Sequence, residues 1–116
     1  MSKKRRDTDF IGDIKEAMEM SALYTKGLTF HKFLEDRKTQ DAVVRNLEVM
    51  GEAAKNISSA FKAKYPDVPW KTLAGLRDKL IHFYFGIDYK IVWSVVKKEL
   101  PKLRKQVKHI SKLEAN

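Results

Sequence analysis

Apolar residues recur at spacings of three and four along the chain, with no sustained alternation of period two, so the pattern predicts helices throughout. Phe10, Ile14, Ala17, Met18 and Ala22 mark one face of a first helix. It is expected to start near Thr8 or Asp9, either of which can cap it, and to stop near Gly27. Thr29 then caps a short helical turn whose apolar side is Phe30, Phe33 and Leu34. A long helix is predicted from about Thr39 to about Lys64, with Val43, Leu47, Met50, Ala54, Ile57 and Phe61 in strict four-three alternation. That is the seam of a helix bundle. Arg45, Glu48, Glu52 and Lys55 form a charged row beside it. Pro66 and Pro69 break the chain, and a fourth helix is predicted from Trp70 to Phe85, ending at Gly86. Asp88 caps a fifth, carrying Ile91, Val92, Val95, Val96, Leu100, Leu103, Val107 and Ile110. Pro101 inside it removes a backbone hydrogen bond and predicts a kink or a restart. The expected architecture is all-α, an up-and-down bundle of four to five helices.

A length of 116 residues suits one domain, expected over 8–116 behind a flexible basic tail at 1–7. Hydrophobic content of 43% supports a packed core rather than disorder. The absence of cysteine excludes disulfides, thiolate metal sites and cysteine nucleophiles, and fits a reducing compartment. No apolar run approaches the roughly 20 residues that span a bilayer. The basic start lacks an apolar segment behind it, so no signal peptide and no membrane association are expected, and the cytoplasm is the expected location.

The net charge of +9 is unevenly placed. Lys3, Lys4, Arg5 and Arg6 supply four positive charges, and from Lys97 onward seven basic residues face two acidic ones. Residues 7–96 balance at 13 basic and 13 acidic. A neutral body with basic ends is compatible with nucleic acid, through counterion release, and equally with an ordinary solvated helix face.

Three histidines, His31, His82 and His109, are the only imidazoles, and no two have metal-ligand spacing on one helix. There is no glycine-rich phosphate loop, nucleophile elbow or calcium loop. Neither a metal nor a cofactor is expected. The fourth helix is the informative one. On an ideal wheel of about 100° per residue, Leu73, Leu76, Leu80, Phe83 and Tyr84 share an apolar arc. Arg77 falls at its edge, half-buried and in line with Tyr84, while His82 faces outward near Asp78. Each has an ordinary structural explanation: a surface histidine, an arginine paired with Glu48 or Glu52, a core tyrosine. The functional explanation is a phosphodiester. Histidine titrates near neutrality and can move the proton of a 2′-hydroxyl or of a leaving 5′-oxygen. Arginine stays charged and can fork onto phosphate oxygens. On one ideal helix Arg77 and His82 lie about 140° apart. Either the helix ends early, at Gly86, or two chains share one cleft. The second is favoured because the seams leave apolar stripes to be covered.

Arg77-x4-His82-x-Tyr84 resembles the R-x4-H-x-Y motif of HepT-like toxins in the HEPN ribonuclease superfamily, and the resemblance spans about residues 8–113. The stretch from Asp41 to Ala54, with Arg45, Asn46, Glu48, Gly51 and Glu52, looks like that family's long-helix signature. Pro69-Trp70 followed by Arg77 to His82 looks like its catalytic helix, and Tyr84 to Tyr89 like the turn after it. Phe83 departs from the pattern, which often has glycine there, and places a bulky ring beside His82. The resemblance implies that Arg77 and His82 are the catalytic pair of a metal-independent endoribonuclease leaving a 2′,3′-cyclic phosphate. It implies a homodimer with both motifs facing one cleft. It also implies a toxin of a toxin–antitoxin pair, neutralised when a minimal nucleotidyltransferase attaches AMP to Tyr84. AMP adds charge and bulk at a site built for RNA phosphates. Asp78, Arg45, Glu48 and Glu52 match positions near the motif and take orienting or structural roles. Two other classes compete: a non-catalytic helical subunit docking on a nucleotidyltransferase, and a basic RNA-binding module.

Overall fold

In a computed structural model, which describes residues 4–82 and 86–115, helix α1 runs Asp7–Thr25. Asp7 and Asp9 lie in its first turn, at the positive end of the helix dipole. The Asp9 carboxylate accepts the Arg6 N–H at 2.8 Å, and that backbone bond holds its carboxyl below the usual range. Helix α2 is Phe30–Glu35, with the Thr29 hydroxyl oxygen accepting from the Lys32 N–H at 3.1 Å. Helix α3, Arg37–Asn56, is capped by Asp36. Thr39 donates to that carboxylate from its hydroxyl at 2.7 Å and from its backbone at 3.0 Å, which lowers the carboxyl's pKa.

The long helix expected from Thr39 to Lys64 is two helices. α3 ends at Asn56, and α4 spans Ser59–Lys64. The break has a named cause: Ser58 donates its N–H and hydroxyl to the two carboxylate oxygens of Asp7, at 2.8 and 2.7 Å. Its hydroxyl oxygen also accepts from Phe61 N–H to cap α4. The apolar seam passes through the break intact, since Val43, Leu47, Met50, Ala54, Ile57 and Phe61 are all buried. At the far end of α4, Glu114 accepts from Lys64 Nζ at 2.7 Å and from the Tyr65 hydroxyl. The lysine bond leads in holding the Glu114 carboxyl down, and the same carboxylate raises Tyr65.

The fourth helix is also divided. α5 (Trp70–Ala74) and α6 (Leu76–Leu80) meet at Gly75, and the helix stops at Leu80 rather than Gly86. Ile81 takes an extended backbone, and β1 (Ile81–His82) pairs antiparallel with β2 (Gly86–Ile87), Ile81 opposite Ile87 and His82 opposite Gly86. This two-residue ladder is the only sheet among the described residues. Asp88 caps α7 (Tyr89–Ser94) as expected, accepting from Lys90 and Ile91 N–H. The chain then runs through a π-helical turn at Val95–Glu99 into α8, Leu100–Leu113, with Pro101 in its first turn. Pro101 has no N–H to donate to a carbonyl of the π turn, and the restart expected at this proline falls beside that turn.

The result is an all-α bundle. α1 packs along α3 and α8, and α3 carries α5 and α6 on another face. Ile14, Phe33, Val43, Leu47, Met50, Leu80 and Val92 are fully buried at its centre. Burial of each such side chain is worth about 1.5–3 kcal/mol.

Candidate active site

The site is organised by the contact of α3 with α5 and α6. Gly51 sits mid-helix in α3, and a Cβ there would lie 3.1 Å from the Leu73 carbonyl oxygen of α5 and 3.7 Å from Leu76 Cβ of α6. Glycine therefore lets the two backbones meet directly. One turn earlier on α3, Glu48 reaches the next segment: its carboxylate lies 3.8 Å from Arg77 Nε. Arg45, Glu48 and Glu52 share one side of α3 by their spacing.

Arg77 differs from its expected state. The wheel of a single helix placed it half-buried at an apolar edge, but its side chain is 67% exposed. The helical phase is kept across Gly75, so the difference lies at the edge of the arc, where the long arginine side chain reaches out to solvent. Leu73, Leu76 and Leu80 of the expected apolar arc are buried. Asp78 is exposed, as are Arg45 and Glu52, and none of these three side chains forms an ion pair among the described residues. The structure thus brings Arg77 to Glu48 and leaves the others as open charges around them.

A long, solvated pair of this kind contributes about 0–1 kcal/mol. Holding the bundle together is therefore not what Arg77 does. Its guanidinium is held loosely by one carboxylate and is free to exchange that partner for a phosphate, which it can bind bidentately. Lys79, two residues on, holds Glu99 at 3.3 Å and so ties α6 to the turn before α8.

The backbone of His82 lies in β1, just beyond the end of α6. The separation of about 140° on one continuous helix therefore does not apply to Arg77 and His82. The extended turn is fixed from outside: the Asp88 N–H donates to the Leu80 carbonyl at 2.9 Å, closing the end of α6 onto the start of α7. Gly86, opposite His82, has φ of 76°, a left-handed conformation that suits glycine. Phe83 and Tyr84, and the side chain of His82, lie outside the described residues.

Two positioning features went unassigned in the sequence reading. Gly51 had a visible signal, because a glycine inside a strongly periodic helix costs about 1 kcal/mol and implies a close approach. The Asp88–Leu80 bond had none, since it joins backbone atoms.

The chain matches the family model described as "Ribonuclease HepT-like" over residues 14–110. It is 45% identical over 109 residues to "Probable ribonuclease HepT" of Thermococcus cleftensis, covering 94% of this chain and 99% of that protein. It is 52% identical over 103 residues to "Putative RNase MJ0127" of Methanocaldococcus jannaschii, covering 89% and 85% of the two chains. No solved structure matches it.

Proposed function

Because the chain belongs to the HepT-like ribonuclease family, we propose that it is a metal-independent endoribonuclease, the toxin of a toxin–antitoxin pair, acting through Arg77 and His82. The observation that carries this reading is the exposed guanidinium of Arg77 on α6, with the chain leaving the helix just before His82. In the reaction a 2′-oxygen attacks the adjacent phosphorus and the bond to the 5′-oxygen breaks, leaving a 2′,3′-cyclic phosphate. The histidine moves the proton of the attacking or leaving oxygen. Arg77 takes the negative charge that builds on the phosphoryl oxygens. Glu48 orients Arg77, and Asp78, Arg45 and Glu52 set the local field.

Regulation in this reading falls on Tyr84, two residues past His82. A cognate minimal nucleotidyltransferase attaches AMP there, and the added phosphate repels RNA from the site. Two copies of the chain form the working cleft, in the cytoplasm. No helix among the described residues is long and apolar enough to cross a membrane.

The test is cleavage of labelled RNA in the presence of chelator by the parent, His82→Ala and Arg77→Lys. Loss of about 10²–10⁴-fold in His82→Ala, with an unchanged melting curve, is expected. Arg77→Lys loses the bidentate fork and is expected to fall by about 10²-fold or more. Full cleavage by His82→Ala rejects the catalytic role of His82, and no cleavage by the parent favours a docking subunit. Intact mass of the chain co-expressed with its nucleotidyltransferase, with peptide mapping over 77–89, tests AMP on Tyr84.

A further inference from the structure

The two basic ends of the chain are not equivalent. Arg5 pairs with Asp13 at 2.7 Å and Arg6 with Asp9 at 3.7 Å, so of the three described N-terminal cations only Lys4 forms no ion pair among the described residues. The C-terminal charge is not answered in this way. Arg104, Lys105, Lys108 and Lys112 are exposed on α8 and form no ion pair among the described residues. The two acidic residues nearby are already engaged, Glu99 with Lys79 and Glu114 with Lys64. At about 100° per residue the four basic residues occupy one arc roughly 100° wide, opposite the buried Leu103, Val107 and Ile110.

Beside this row lies a groove of about 250 Å³ between α1 and α8. Lys15 of α1 joins Arg104, Lys105 and Lys108 at its rim, Glu19 is its one acid, and Met18, Pro101 and Val107 are its apolar lining. We propose that this face of α8, with the α1–α8 groove, binds the sugar–phosphate backbone of single-stranded RNA and holds the substrate for the Arg77 site. The inference rests on the ribonuclease reading and adds to it a substrate-binding surface separate from the reacting residues.

The chemistry selects this partner. A cationic rim over an apolar lining fits a strand that carries regular negative charge and flat apolar bases. A bilayer surface fits less well, because the apolar face of α8 is already spent in the core. The Lys79–Glu99 pair joins α6 to the turn before α8, and the basic row runs along the following stretch of α8, about 20 Å long, on the side facing α1.

The experiment compares two four-site variants, both built on His82→Ala so that bound RNA stays uncut. One is Arg104→Gln, Lys105→Gln, Lys108→Gln and Lys112→Gln. The other removes the same charge elsewhere: Lys32→Gln, Lys38→Gln, Lys71→Gln and Lys90→Gln, all exposed. The probe is a fluorescein-labelled single-stranded RNA read by anisotropy at rising salt. Each phosphate contact to a single strand contributes about 0.7 to the slope of log affinity against log salt, so four contacts contribute about 2.8. Between about 50 and 200 mM salt the parent should therefore lose about 50-fold more affinity than the α8 variant. The control variant should keep the parent's slope. Equal loss in both variants, or in neither, overturns the proposal, as does binding to phosphatidylglycerol vesicles with none to RNA. With His82 restored, the α8 variant should show a raised KM on long RNA and an unchanged kcat. If the α8 variant alone loses RNA and the parent cuts nothing, the surface stands and the ribonuclease reading falls. If the parent cuts RNA and the α8 variant binds it undiminished, the reverse holds.

Discussion

α3 and the stretch from Trp70 to Glu99 are built on opposite plans. α3 is one helix of 20 residues whose seam is buried along its length. The later stretch has no described element longer than six residues: α5, α6, the paired strands, α7 and the π turn follow one another closely. Short helices leave a large share of their terminal backbone groups to be satisfied by other segments. They are stable only where packing holds them. The family motif sits in this interrupted stretch, and the uninterrupted helix beside it supplies support. In the interrupted stretch Arg77 stays in solvent while Leu73, Leu76 and Leu80 are buried beneath it.

The sharpest test of that division is Leu47→Ala. Leu47 is fully buried in α3, and its truncation should cost about 2–5 kcal/mol in urea unfolding while the folded fraction keeps its cleavage rate. A cost under about 1 kcal/mol would remove the scaffold role from α3. Gly51→Ala probes the junction between the two regions. Its Cβ meets the Leu73 carbonyl, a backbone atom that cannot swing aside. The clash outweighs the roughly 1 kcal/mol that alanine gains as a helix former, for a net loss of up to about 2 kcal/mol. Because α5 and α6 must shift, kcat should fall together with stability. Glu48→Gln should move unfolding free energy by less than about 1 kcal/mol and still lower kcat, since the partner it removes orients Arg77. A change in stability with kcat untouched would make the pair a surface ornament.

Acid supplies the smallest effect. The Asp36 carboxyl is lowered on folding by the Thr39 hydroxyl and N–H. The stability it contributes is therefore full above the unfolded value of about 3.9 and is lost as pH falls through the lower folded value. The difference in urea midpoint between the parent and Asp36→Ala should be constant near neutrality and shrink below about pH 4. A difference that persists in strong acid would assign the cap's contribution to something other than the charged carboxylate.

The helical pattern carried the bundle because burial and periodicity are the same fact seen twice. Each seam residue from Val43 to Phe61 is buried, and Thr29 and Asp88 cap the helices they precede. The break at residues 57–58 escaped because Ile57 and Phe61 stay in phase across it, so the apolar spacing conceals it. Its cause is Asp7, far away in sequence. The exposure of Arg77 escaped for a different reason: a wheel gives a side chain's direction but not how far a long one at the edge of an apolar arc reaches into solvent. The stop at Leu80 was hidden because it is closed by a backbone bond from Asp88. Motif spacing survived these errors, because the order of Arg77, His82 and Tyr84 along the chain does not depend on the conformation between them.

The six residues of α4 hold both ends of the fold. Asp7 is fastened at the helix's first end through Ser58, and Glu114 at its last through Lys64 and Tyr65. A helix of that length is about 9 Å long. In connectivity the molecule is therefore nearly a ring with α4 as its clasp. A short linker can join residue 114 to residue 7, and new ends can be opened at Gly27 between α1 and α2, with every helix pairing kept in place.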